Sequence, residues 1–138
     1  MGVRRRVVAV SEESDQVTVY EFVGGMPFFE ELVERFYARV ATDEVLLRLY
    51  PDQVDLGPAR DRLALFLAQY WGGPQTYSES RGHPRLRMRH MPFEVGQVER
   101  DHWLAAMTAA LDEMAPPDLV RERFDAYFEM SADAMMNR

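Results

Sequence analysis

The stretch RGHPRLRMRHMPFEVGQVERDHW, Arg81 to Trp103, decides how this chain is read. It opens on a loop signature, Arg81-Gly82-His83-Pro84, passes through a basic run to His90, and meets Pro92 at once. His90 stands between arginines and the apolar triplet Met91, Pro92, Phe93. A neutral imidazole is a common metal ligand and suits iron well. Arginines on one side could meet carboxylates while an adjoining ring enters a dry cavity. The same letters also describe a short surface helix with a basic face, and on these residues alone both readings stand.

Outward from that stretch, the 138 residues suffice for one domain with a real core. With 47% hydrophobic and 28% charged residues, the composition is that of an ordinary globular chain. The net charge of -7 argues against nucleic acid or an anionic membrane as a partner. There are no cysteines, which excludes disulfides, thioether-attached cofactors, cysteine-ligated clusters and thiolate catalysis. No run is long and apolar enough to span a bilayer, and the N-terminus lacks an apolar signal core, so cytoplasmic residence is expected.

The periodicity is helical. Residues 1 to 16 read as a flexible extension and 17 to 138 as the folded domain. Val17 to Val23 offers a helical turn or two before Gly24-Gly25. Phe29, Leu32, Val33, Phe36 and Val40 recur at spacings of three and four, with Tyr37 beside them. A short apolar piece, Val45 to Tyr50, runs into Pro51, where the chain must turn. A helix is expected from Ala59 to Trp71, with Leu63, Phe66, Leu67 and Tyr70 on its apolar face, closed by Gly72-Gly73-Pro74. No long element is expected from Pro74 to Pro84. A long helix spans Gln97 to Met114, and a last one follows Pro116-Pro117, with Leu119, Phe124, Tyr127, Phe128 and Met135 on its buried side.

Three polar-tipped rings, Tyr37, Tyr50 and Trp103, fall in or beside these apolar stripes. Each offers a hydrogen bond from an apolar body, and three together would suit a small polar ligand. Each alone is more often a satisfied core residue. His83, His90 and His102 do not have a zinc-site spacing, even with Glu99 added. Neither a nucleophile elbow nor a phosphate loop is present. A helical interaction module without any cofactor therefore stays open on these grounds.

The longer matches narrow the choice. RFYARVATDEVLLRLYP at Arg35 to Pro51, FLAQYWGGPQTYSESRGHPRLRMRHMPF at Phe66 to Phe93, and DHW at Asp101 to Trp103 resemble the truncated haemoglobins, specifically their second group. The resemblance runs from about Tyr20 to Asn137. It implies an all-α fold, a two-over-two helical sandwich around haem b held without covalent attachment. It implies His90 as the proximal iron ligand and Tyr37, Tyr50 and Trp103 as distal donors. Ala59 takes the place of the distal histidine of classical globins, and Leu63 faces the ligand. Phe66 and Phe93 would touch the haem, with Arg62, Tyr77 and Arg89 near its propionates. Dioxygen, carbon monoxide, nitric oxide or peroxide are the implied small ligands. A peroxidase or nitric oxide dioxygenase with a reductase partner is the alternative. A monomer or homodimer is expected, and His102 is expected to point outward.

Overall fold

A computed structural model describes residues 17–50, 53, 55–81 and 95–137. Seven helices lie among them: α1 (Val19–Phe22), α2 (Met26–Val40), α3 (Glu44–Leu47), α4 (Gly57–Tyr70), α5 (Thr76–Arg81), α6 (Gln97–Met114) and α7 (Asp118–Met135). α2 packs on α4 and α6, α6 on α7, α3 on α6, and α5 on α4. The result is the expected all-α, two-over-two helical sandwich. Its centre is filled by Phe29, Leu32, Val33 and Phe36 of α2, Leu67 of α4, Met107 and Leu111 of α6, and Phe124 and Phe128 of α7.

Local chemistry sets the ends of the elements. Thr18 caps α1 through a capping box, its Oγ1 accepting from the Glu21 amide at 3.1 Å while Glu21 Oε1 accepts from the Thr18 amide at 3.3 Å. Gly24 and Gly25 both take positive φ and turn the chain into α2, whose first turn holds Pro27. α4 starts at Gly57, two residues earlier than the pattern suggests, because Pro58 fits a first turn that needs no amide hydrogen. α5 is an addition to the sequence reading. Its six residues, TYSESR, carry no apolar period. A tertiary clamp holds it: Gln69 Nε2 donates to Ser78 Oγ at 2.7 Å and Gln69 Oε1 accepts from the Ser78 amide at 2.9 Å.

The buried side of α7 needs a correction. Leu119 is 54% exposed, and Val120 is buried in its place. Val120 lies four residues before Phe124 and shares its stripe, whereas Leu119 lies five before it and rotates away.

Gly72 packs against the start of the described chain. Its φ of +106° favours glycine, and a Cβ there would stand 2.6 Å from Thr18 Cβ. Next to it, the Trp71 carbonyl accepts from the Tyr20 amide at 2.9 Å. Gly72→Ala should destabilise the fold by about 2–5 kcal/mol, from backbone strain plus overpacking. Gly24→Ala serves as the control. Its φ is +102° but its Cβ would meet open space, so strain alone should cost about 1–2 kcal/mol. Urea denaturation of both variants checks the ordering.

Candidate functional site

Tyr37 lies one residue after Phe36 on the inward face of α2 and is 6% exposed. Its ring stands edge-on to Phe36 (centroids 5.0 Å, 78°) and to Tyr50 (5.5 Å, 71°). The two tyrosine hydroxyls share a hydrogen bond. Tyr50 arrives from the other direction, at the end of the turn that follows α3, where its amide donates to the Leu47 carbonyl at 3.1 Å. It is half-buried.

Burial disfavours the phenolate of both. It raises Tyr37 above its ordinary value, although the Tyr50 hydrogen bond and the positive charge of Arg62 work against the rise. Burial, with Tyr37 beside it, pushes Tyr50 well above the ordinary phenol. Both groups therefore stay protonated, as neutral donors, throughout the physiological range. A raised phenol contributes stability that is complete below about pH 10 and is lost as pH climbs through the folded-state value. In alkaline titration followed by tyrosinate absorbance, a late step is expected from Tyr37 and Tyr50, and Tyr50→Phe should remove the later part of it.

Trp103, on α6, is 9% exposed. It packs edge-on against Phe36 (5.6 Å, 65°) and tilted against Phe128 (6.0 Å, 57°). Phe36 thus touches both Tyr37 and Trp103, and Tyr37 touches Tyr50. Sequence spacing alone leaves open how the three polar rings lie, and the packing of α2 on α6 links Trp103 to Tyr37 through Phe36, with Tyr50 on Tyr37.

α4 carries two apolar rows. Ala64, Leu67, Ala68 and Trp71 form a buried one. Ala59, Leu63, Phe66 and Tyr70 form a second, in which only Phe66 is fully buried and the others keep accessible surface. Arg62 sits beside Leu63, and its charge reaches Tyr37, which places this end of α4 next to the tyrosine pair. Tyr77, a propionate candidate by sequence, is 4% exposed and packs edge-on against Phe66 at 5.5 Å, on the short helix that the Gln69–Ser78 clamp holds.

His102 faces outward, as expected. Its ring is 42% exposed and its Nδ1 lies 2.8 Å from Asp43 Oδ2. Glu99 is not its partner. That carboxylate accepts from the Gly96 amide at 2.9 Å and from Arg48 at 3.1 Å. Among the described residues no group of three metal-ligating side chains is placed to hold an ion. No helix among them is long and apolar enough to cross a membrane. His90, Arg89 and Phe93 lie outside the described residues. Sequence reasoning did not single out Asp43, although an aspartate directly before a short apolar run is an N-cap signal.

Comparison with known proteins adds a second line. Residues 18–137 match the family model for bacterial-like globins. The chain is 37% identical over 119 residues to the group 2 truncated haemoglobin of Bacillus subtilis, covering 86% of this chain and 88% of that protein. A thermostable haemoglobin from the actinobacterium Thermobifida fusca superposes with a TM-score of 0.85 at 55% identity, over 88% of this chain and 98% of that one. The truncated oxygen-avid haemoglobin of Bacillus subtilis superposes at 0.81 with 36% identity, over 88% of this chain and all of that one, 100%.

Proposed function

The chain belongs to the truncated haemoglobin family, and on that basis we propose that it is a haem b protein of the second group that binds dioxygen and other diatomic ligands. The observation that carries this reading is the run of neutral donors, with Tyr37 and Trp103 both against Phe36 and Tyr50 against Tyr37. When bound, haem supplies the iron that takes up the ligand and the electron density that leaves dioxygen partly negative.

The residues present fit such a group. An apolar row with accessible surface, Ala59 and Leu63 running to Phe66, suits a flat hydrophobic face. Arg62 offers a guanidinium beside that row for a carboxylate tail. Of the three histidines, His102 lies 42% exposed on the outer side of α6, so His83 and His90 are the candidates for the axial ligand. The RMRH signature favours His90, with Arg89 toward a carboxylate and Phe93 toward the macrocycle. The donors hold a partly negative ligand in surroundings of low dielectric, where each hydrogen bond is stronger than in water. Ala59 leaves room for ligand entry where a histidine would fill it. The oxygen avidity named for the Bacillus subtilis relative is what such a donor cluster would produce here. The extension, residues 1 to 16, takes no part in this account.

The test is an absorption spectrum of the recombinant protein in its ferric, ferrous and carbonyl states. A Soret band that shifts between the three is expected. A folded protein that takes up no haem from solution would overturn the proposal.

A further inference from the structure

α3 is four residues long, far too short to persist unaided. Its N-cap is Asp43, whose Oδ1 accepts from the amides of Val45 at 2.9 Å and Leu46 at 3.2 Å. The other oxygen, Oδ2, is spent across the helix interface on His102 Nδ1 at 2.8 Å. The facing helix repeats the device. Glu99 of α6 uses Oε1 to accept from the Gly96 amide at the start of its own helix and Oε2 to accept from Arg48 Nη2, which follows α3. Each helix is capped by a carboxylate whose second oxygen grips a side chain of the other.

One oxygen would serve each cap. The second contacts are therefore cross-links, made on a turn whose Leu46 and Leu49 are buried at 0% and 7% exposure. Partial desolvation works to raise the Asp43 carboxyl, but hydrogen bonds from His102, Leu46 and Val45 outweigh it and hold the group below its ordinary value. The partners Arg48 and His102 are themselves 59% and 42% exposed, so the pairs contribute little to overall stability. What they do control is where α3 lies on α6. Tyr50 is two residues beyond Arg48, and Trp103 directly follows His102.

We propose that Asp43–His102 and Arg48–Glu99 form a reciprocal clasp whose role is to position Tyr50 relative to Trp103 and Tyr37. The four are positioning residues, since none of them reaches the tyrosine hydroxyls. The inference takes its functional meaning from the haem-protein reading above, but the placement of Tyr50 can be tested without it.

His102→Ala and Arg48→Met each open one arm and leave both caps intact, and the double variant opens both. His102→Asn should rescue, because the asparagine Nδ2 occupies the branch position of the imidazole Nδ1 and can donate to Asp43. The first readout is the Tyr50 phenol, followed by NMR of isotope-labelled tyrosine through an alkaline titration, with or without haem. In the double variant its late titration should move down toward that of an exposed tyrosine, and His102→Asn should keep it late. The second readout is the infrared C–O stretch of the carbonyl complex, expected as one narrow band in the wild type and as several in the double variant. Dioxygen release should quicken roughly two- to fivefold, the weight of exposed pairs of this kind. A folded double variant whose Tyr50 titration and C–O band both match the wild type would overturn the clasp. A wild type without haem would overturn the proposed function and leave the tyrosine titration to decide the clasp.

Discussion

Trp103→Phe is expected to speed dioxygen release by about one to two decades. A hydrogen bond to a charged or partly charged acceptor contributes about 1.5–3 kcal/mol, and each 1.4 kcal/mol is tenfold. The substitution keeps a ring against Phe36 and Phe128, the two aromatic neighbours of the indole, and deletes the N–H with the smaller part of the bicyclic ring. It therefore tests polarity more than space. Tyr37 and Tyr50 remain, joined by their own hydrogen bond, and their continued hold sets the lower end of the range. Carbon monoxide release should change less, since that ligand carries less charge when bound. Stopped-flow measurement on fully haem-loaded protein decides. Equal dioxygen release rates in variant and wild type would make the indole a packing group.

The second large effect concerns the other side of the cofactor. His90→Gly should abolish most haem retention, read as loss of the Soret band on transfer to a haem-scavenging acceptor protein. The geometry of His102 sharpens this expectation. With its ring 42% exposed on the outer side of α6, that histidine is badly placed to replace His90. Added imidazole should restore part of the spectrum by filling the gap that the glycine leaves. Retention equal to the wild type, with no imidazole response, would remove His90 from the site and turn attention to His83.

Those parts of the fold whose chemistry is local were legible in the sequence. The α2 stripe, Phe29 through Val40, is buried as its spacing requires, and α6 runs from Gln97 to Met114 as read. Proline and glycine placed the main turns, and Pro58 misled only because it starts a helix instead of preceding one. What the sequence left out or misplaced is tertiary. α5 has no period of its own and exists through Gln69, a residue on another helix. Leu119 and Val120 are equally apolar, and only the register of Phe124 chooses between them. α4 looked like one apolar face and proves to be two rows with different neighbours. For the site, residue types named Tyr37, Tyr50 and Trp103, but Phe36 as the link between Tyr37 and Trp103 needed the packing of α2 on α6. The clasp was illegible because a cap signal shows that a carboxylate is present and says nothing of where its second oxygen goes.

The Trp71 indole has its own consequence. Its Nε1 is buried without a hydrogen-bond partner, the one such side-chain atom among the described residues. Its neighbours are rings: Phe124 at 5.0 Å and 82°, Tyr127 at 5.4 Å and 78°, and Tyr70 at 5.1 Å and 80°. Aromatic surroundings can receive an N–H weakly, which tempers the cost of leaving it unpaired. Ring carbons also reorient little around an excited indole. The chain has only two tryptophans, so Trp103→Phe leaves Trp71 as the single fluorophore. Its emission would then come from the centre of the aromatic core at short wavelength, and a shift to the red would report the wetting of that core separately from events in the ligand pocket.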